Sequence, residues 1–323
     1  MATWGEILQE LQTSPRLPNG NPDWDSVRRK YLTALYVRTG RNTLIYYTDF
    51  LKNPSPITSI TLQDMQGMME VCRDLDGPSL DILLHSPGGS PEATASIVRY
   101  LRRKFTDIRI IVPLAAMSAA TMWALSANRI LMGKHSQLGP IDPQMVTAQG
   151  VMPARAIIEQ FETAKQECAA NPALLGAWLP ILQQYGPALL KQCEMAERLS
   201  RQLVQEWLRD YMFKRRRNRE ALASAAADYF ADAARHKSHA LGIDREQARR
   251  LRIVVDDLEA DQDLQDAVLS VHHATMHTLD GPTVKIIENH LGRAFVQAQI
   301  VQTVQIPMPL PSLPQPPGPA NSV

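Results

Sequence analysis

The stretch Leu80–Gly89, LDILLHSPGG, decides the fold. Its first six residues form a short apolar run, which predicts a buried strand that ends at His85, where Ser-Pro-Gly-Gly stops it. A helical pattern then covers Glu92–Phe105, and a second apolar run follows at 108–113. A strand, a turn, a helix and another strand in this order predict a crossover connection and a sheet that is at least partly parallel.

The same alternation extends in both directions from this unit. Further strands are predicted at Asn42–Thr48 and Arg129–Met132, and further helices at Trp24–Arg38, Thr61–Leu75 and Ser118–Ser126. After Pro143 long helical patterns dominate, at Pro153–Cys168, Leu174–Tyr185, Pro187–Phe213 and Arg219–His236. Ile253–Leu258 is predicted as a returning strand, and Leu264–Thr275 and Val284–Leu291 as helices. The pattern predicts an α/β core with a mostly helical C-terminal addition.

Length and composition predict an ordinary globular protein. The 323 residues, of which 45% are hydrophobic, can bury a sizeable core, and this excludes disorder as the main state. We predict an N-terminal helical segment (1–40), a core (41–145), a helical extension that completes the domain (146–300) and a disordered Pro-rich tail (301–323).

The low net charge argues against partners that are attracted by a long-range electrostatic field. The formal net charge is only +1, so a nucleic-acid partner is not expected. Lys214–Arg219 is the single dense basic run, and it follows a long helical pattern, where cations favour the helix C-terminus. We therefore predict a solvated helix junction there, with contact to RNA, DNA or acidic lipid as the alternative.

Cysteine usage and the N-terminus predict a cytoplasmic protein. Cys72, Cys168 and Cys193 are far apart, odd in number and without CxxC spacing, which fits a reducing compartment and argues against disulfides and zinc. The first residues lack the basic region and apolar block of a secretory signal.

Two loops after adjacent predicted strands carry the residues best suited to chemistry. The first, Ser86–Gly89, combines a proline with two glycines, which allows backbone N–H groups to point outward and hold an oxyanion. In the second, Ala116–Thr121, Ser118 stands at the start of a helix, where negative charge is favoured. Taken separately, Ser118 could be a plain N-cap and Pro-Gly-Gly a plain turn.

Together these loops resemble the Clp-type and signal-peptide-peptidase-type serine peptidases of the crotonase-like superfamily. Met132–Gln144 (MGKHSQLGPIDPQ) and Val284–Gly292 (VKIIENHLG) narrow the resemblance to the serine dehydrogenase proteinase family. It covers about Arg41 to Gln297. The resemblance implies a crotonase-like, Clp-type α/β fold with stacked ββα units, a serine peptidase or related acyl hydrolase, and a homo-oligomer.

The resemblance also implies a catalytic serine, aspartate and histidine in that chain order. Ser118 carries over from the family's serine motif, with Ala120 in place of a glycine, and Asp142 carries over through Gly-Pro-Ile-Asp-Pro-Gln. His239 is the predicted base, although the residues that follow it in the family are absent here. Gly88 or Gly89 and Ala119 would supply the oxyanion donors. No metal or organic cofactor is needed, and the substrate is a peptide or protein.

Several alternatives remain open at this stage. His236 competes with His239 for the role of the general base. A serine–lysine dyad with Lys134 or Lys165 is the other alternative, although a lysine base must be desolvated to lose its proton near neutral pH. Two other classes of protein share the fold: an acyl-CoA enzyme with a carboxylate base, and a scaffold without turnover. The need for a membrane or unfoldase partner is left open.

Overall fold

The computed structural model describes residues 3–14, 16–18, 20–148, 150–186, 188–236 and 238–299. The predicted Pro-rich tail, 301–323, lies outside the described residues, and the predicted domain boundaries stay a prediction.

The described residues begin with two helices, alternate between strands and helices up to Pro153, continue with a run of helices, and end with two strands. The helices are α1 (Trp4–Thr13), α2 (Trp24–Thr39), α3 (Asp64–Cys72), α4 (Pro91–Lys104), α5 (Ala119–Leu125), α6 (Ala154–Ala170), α7 (Leu175–Leu182), α8 (Leu189–Trp207), α9 (Arg219–Ala231), α10 (Ala233–His236), α11 (Arg245–Arg250) and α12 (Gln262–Thr278). A short π-helix, Leu208–Met212, continues α8.

The strands are β1 (Asn42–Thr48), β2 (Ser79–His85), β3 (Asp107–Val112), β4 (Ala115–Ala116), β5 (Arg129–Met132), β6 (Gln137–Leu138), β7 (Gln144–Thr147), β8 (Gly150–Pro153), β9 (Val255–Asp257), β10 (Thr283–Asn289) and β11 (Ala294–Ala298).

A seven-stranded sheet in the order β11-β10-β1-β2-β3-β5-β9 forms the centre of the molecule. The strands from β1 to β9 in this order pair in parallel, while β10 runs antiparallel to β1 and β11 antiparallel to β10. The predicted parallel sheet is thereby confirmed. Two small sheets, β4 with β6 and β7 with β8, lie outside it.

Alternating side chains of the central strands face two helical layers. Leu80, Ile82 and Leu84 of β2 pack into a core shared with α3, α4, α5, α8 and α9. Leu83 points to the other face, into a core shared with α2 and α12. A strand covered on both faces reads as a nearly continuous apolar run, as the Leu80–His85 stretch does.

Local signals place the helix that follows the diglycine loop. The Ser90 side chain accepts a hydrogen bond from the Ala93 N–H, and Pro91 occupies the first turn, so α4 begins directly after the loop. The loop therefore lies between the end of β2 and the N-terminus of α4.

The predicted helix at Val284–Leu291 is wrong, because these residues form strand β10. The spacing of Lys285 and Glu288 resembles the polar face of a helix, but both side chains are buried and paired. Lys285 Nζ lies 2.8 Å from Asp64 Oδ1, and the Glu288 carboxylate is 2.5 Å from Arg28 Nε. Each of these two charged side chains can be buried because a partner of opposite charge comes from a distant part of the chain. The strand therefore has no exposed polar face of the kind that a surface helix has. The β7–β8 hairpin between Pro143 and α6 was also not predicted.

Candidate active site

Ser118 occupies the turn before α5 in a strained backbone conformation. Its φ is 51° and its ψ is −122°, in a region that costs a non-glycine residue about 1–3 kcal/mol. Ser118 stands at the N-cap position, yet within the described residues its hydroxyl makes no capping hydrogen bond. Ser118 is partly exposed, while every residue of α5 is buried.

The diglycine loop packs directly against this turn. A Cβ atom added to Gly88, whose φ is +97°, would lie 2.6 Å from the Met117 carbonyl oxygen and 2.7 Å from the Ala119 nitrogen. On its other side the loop is held by Ile60, whose N–H donates to the Gly88 carbonyl at 2.7 Å. Only a residue without a side chain fits between these two segments.

Two backbone donors remain near Ser118. The Gly88 N–H already donates to Ser86 Oγ at 3.2 Å. In the part of the chain that the structure describes, the N–H groups of Gly89 and Ala119 have no hydrogen-bond acceptor. Both N–H groups are therefore unpaired, as a donor to a ligand's oxygen atom would have to be.

Asp142 and His239 form a close pair. Asp142 Oδ1 lies 2.7 Å from His239 Nδ1, and the aspartate is only 3% exposed. Because a carboxylate only accepts hydrogen bonds, this contact places the proton of a neutral imidazole on Nδ1 and the lone pair on Nε2. This is the tautomer that a general base requires.

A backbone bridge brings the two segments of this pair together. Leu138 and Ile243 exchange hydrogen bonds of 3.0 and 2.7 Å in an isolated antiparallel bridge. The Gly139 N–H donates to Thr121 Oγ1 at 2.8 Å, so the segment before Asp142 is also attached to the helix that Ser118 begins. Elements distant in sequence thus meet at one point.

Ser118, His239 and the diglycine loop line one cavity of about 430 Å³. This volume is within the usual range of ligand sites. Its apolar wall comes from the hairpin β7–β8, from α8 and from residues next to Ser118 and Asp142, namely Met122, Ile141, Met145, Val146, Val151, Ala196 and Leu199. The structure therefore brings together Ser118, Asp142, His239, Gly88, Gly89 and Ala119.

The competing bases lie elsewhere. His236 Nε2 is hydrogen-bonded to the Tyr229 carbonyl at 2.7 Å, and His236 does not line the cavity. Lys165 is 77% exposed and lies 3.7 Å from Glu162, and Lys134 is exposed. Neither lysine lines the cavity that Ser118 lines.

Sequence reasoning missed two polar residues of this site. Gln144 Nε2 donates to Asp142 Oδ2 at 2.8 Å, and so holds the aspartate oxygen that His239 does not use. Ser200, from α8, lines the cavity with a buried hydroxyl that has no partner among the described residues. Gln144 was visible as the last residue of the Gly-Pro-Ile-Asp-Pro-Gln motif, whereas nothing in the sequence marked Ser200.

Within the described ranges, no group of three or more His, Cys, Asp or Glu side chains is arranged to hold a metal ion. Among the same residues, no helix combines the length and the apolar character needed to cross a bilayer.

The fold and the site define an α/β protein with a serine, an aspartate and a histidine around one cavity. Residues 55–179 match the model of the ClpP-like SDH-type serine proteinase family, which confirms the predicted resemblance and a ClpP-like fold. The matched region contains Ser118 and Asp142 and ends before His239.

Two uncharacterized proteins of Methanocaldococcus jannaschii are similar to the chain. The first is 32% identical over 163 residues, which are 47% of this chain and 55% of the relative. The second is 32% identical over 103 residues, which are 32% of this chain and 34% of the relative. The chain thus spans about half of the one relative and a third of the other.

Two solved structures of the 1510-N membrane-bound stomatin-specific protease are also similar, a serine-to-alanine mutant and a lysine-to-alanine mutant in complex with a substrate peptide. Both are 16% identical to the chain. The serine mutant has a TM-score of 0.39, and the match covers 65% of this chain and 79% of that one. The lysine mutant has a TM-score of 0.30, and the match covers 55% of this chain and 60% of that one. Likeness at this level carries no argument about individual residues.

Proposed function

We propose that the protein is a serine peptidase or a related serine acyl hydrolase. One observation carries the proposal: His239 is fixed by Asp142 at 2.7 Å and shares a cavity with Ser118 beside the diglycine loop. The match of residues 55–179 to a serine proteinase family supports the same chemistry. Peptides or proteins are the proposed substrates.

In the proposed mechanism Ser118 Oγ attacks the carbonyl carbon of the scissile bond while His239 Nε2 takes the hydroxyl proton. The carbonyl oxygen becomes an oxyanion, and the N–H groups of Gly89 and Ala119 donate to it. The tetrahedral intermediate then expels the amine, which takes the proton from Nε2. Water, deprotonated by the same nitrogen, hydrolyses the acyl-enzyme and restores the serine.

Gly88 has a different role in this proposal from that of Gly89. Its N–H is bound by Ser86, so it shapes the loop and allows close packing against Ser118. Gly89, with a φ of +150°, presents the free N–H. The strained conformation of Ser118 supports the same arrangement, since such strain is retained where surrounding structure enforces it and clusters at active sites.

We also propose that the fold is of the crotonase-like type, with a mostly helical C-terminal addition. The parallel strands β1, β2, β3 and β5 support this, as does the run of helices α6–α9. In the alternative class, the acyl-CoA enzyme, a carboxylate would replace the serine in the reaction. The close pair of Asp142 and His239 favours the hydrolase, because it supplies a base in the cavity that Ser118 lines.

Intact-mass measurement after treatment with a fluorophosphonate tests the nucleophile. We expect one adduct per chain in the native protein and none in Ser118→Ala. The matched control is Ser96→Ala, which removes a hydroxyl that only bonds the Glu92 carbonyl on α4. Ser96→Ala should be labelled like the native chain. Labelling that persists in Ser118→Ala refutes the assignment, and absence of labelling in the native chain favours a scaffold.

A homo-oligomer in the cytoplasm completes the proposal. Val146 and Val151, paired across the hairpin, are 84% and 66% exposed at the cavity, and this supports contact with a second copy. Free Cys72, Cys168 and Cys193 support a reducing compartment. Light scattering of the native chain and of Val146→Lys tests the oligomer: we expect a smaller mass for the variant, and a monomeric native chain would refute it.

A further inference from the structure

Another cavity, polar and with a volume of about 590 Å³, lies at the opposite end of the parallel strands of the central sheet. Asp107 and Arg129, which begin the parallel strands β3 and β5, line it. Ser118 and the diglycine loop lie instead beyond the carboxyl ends of parallel strands. The wall is completed by Tyr211, Lys214 and Arg215, so the only dense basic run of the sequence contributes to this cavity.

Positive charge exceeds negative charge in this cavity. Arg129, Lys214 and Arg215 face one lining carboxylate, Asp107, and that carboxylate is already bound by Arg41 at 2.6 Å. The guanidinium of Arg129 lies 3.4 Å from the carboxylate of Asp256, and both side chains are about half exposed. An exposed pair of this kind contributes little.

Lys214 and Arg215 have no close counter-ion. No carboxylate among the described residues lies within 4.0 Å of either side chain. The positive charge of Lys214 contributes to the lowered pKa of Asp210, but Asp210 is held by Arg209, with Nε 2.7 Å from Oδ1. Both cations are therefore available to a ligand.

A fourth cation, Arg102, lies directly behind the cavity wall. Arg102 stacks on the ring of Tyr211 at 4.0 Å and donates to Asn128 Oδ1 at 2.7 Å, and both of these residues line the cavity. Its other acceptors are the carbonyls of Ser126 and Thr106, which are neutral. Its buried Nε has no partner in the described part of the chain.

Arg102 is thus a largely desolvated cation that feels the charge of Asp107 but forms no ion pair with a carboxylate of the described residues. Burial lowers its pKa to about 10, which shows that its surroundings disfavour the charged form. A charge of this kind is costly unless an opposite charge is placed near it. An anion in the cavity would supply that charge.

We propose that this cavity binds a soluble small molecule that carries a phosphate group. A guanidinium and an ammonium, from Arg215 and Lys214, match phosphate oxygens, the first with a planar pair of donors and the second as a point charge. The volume of the cavity lies within the range of small-molecule sites. The site is separate from the proposed active site and does not depend on the proposed function.

Titration calorimetry with inorganic pyrophosphate at low salt tests the proposal. We expect saturable binding of one pyrophosphate per chain, with a Kd that rises at least about tenfold in Arg215→Gln and in Lys214→Gln. The matched control is Arg217→Gln, which removes the same charge from the same exposed run but from a side chain that does not line the cavity. Its Kd should stay within about twofold of the native value.

Two further measurements separate a site from general attraction. Pyrophosphate should raise the thermal midpoint of the native chain and of Arg217→Gln, and raise it much less in Arg215→Gln. Equal weakening in all three variants would show a diffuse basic surface and refute the site, as would the absence of saturable binding. Attachment only to phosphatidic acid vesicles, equally in all variants, would also refute it.

Discussion

Replacing Gly88 by alanine tests the contact on which the candidate site depends. The added Cβ would lie 2.6 Å from the Met117 carbonyl oxygen, 2.7 Å from the Ala119 nitrogen and 2.8 Å from Ser118 Cβ. These are mostly backbone atoms, which cannot rotate away as the end of a side chain can. The diglycine loop and the Ser118 turn must therefore move apart in Gly88→Ala.

A second glycine separates this clash from the cost of the backbone conformation. Gly77 has a φ of +86°, close to the +97° of Gly88, but a Cβ added there would meet nothing within 4 Å. Gly77→Ala should lower the free energy of unfolding by about 1–2 kcal/mol, the cost of left-handed backbone for alanine. Gly88→Ala should have the same cost and should also displace the proposed oxyanion donors.

The rate of labelling by a fluorophosphonate is the measurement, because this reaction also places negative charge on an oxygen near the donors. Loss of one donor reduces such rates about 10²- to 10³-fold, so we expect a decrease of this size in Gly88→Ala. Gly77→Ala should react at the native rate. A folded Gly88→Ala protein, verified by circular dichroism, that reacts within about threefold of the native rate would refute the reasoning.

Three further predictions concern polar groups in and near the site. Asp142→Asn should slow labelling about 10⁴-fold, since the amide favours the wrong tautomer of His239, and a decrease below tenfold would contradict this role. Gln144→Leu should slow labelling about tenfold, because Asp142 loses the 2.8 Å hydrogen bond to its second oxygen, while the melting temperature reports any structural loss separately. Burial lowers the pKa of His85 to about 4, so the folded state binds fewer protons than the unfolded state between pH 6.5 and 4. The free energy of unfolding should therefore fall by about 2 kcal/mol from pH 8 to pH 5 through this group, and urea titrations should show a weaker pH dependence for His85→Leu; an unchanged dependence would contradict the prediction.

Local patterns predicted the core of the fold because each of its strands is one apolar run. The bounds of β1 and β5 agree with the predicted Asn42–Thr48 and Arg129–Met132. Strand β10 could not be recognised in the same way. Its buried Lys285 and Glu288 are paired with Asp64 and Arg28, more than two hundred residues away, and a local window does not contain these partners.

The candidate site shows the same division between local and distant information. Ser118 and the diglycine loop follow adjacent strands, so their meeting could be predicted from the alternation of elements alone. The choice between His236 and His239 could not be predicted in this way, because it depends on an antiparallel bridge between Leu138 and Ile243. The bridge ties the segment just before Asp142 to the segment just after His239, and these two residues are 97 positions apart in the sequence. His236 is instead hydrogen-bonded to the Tyr229 carbonyl of α9, so of these two histidines His239 is the one that meets Asp142.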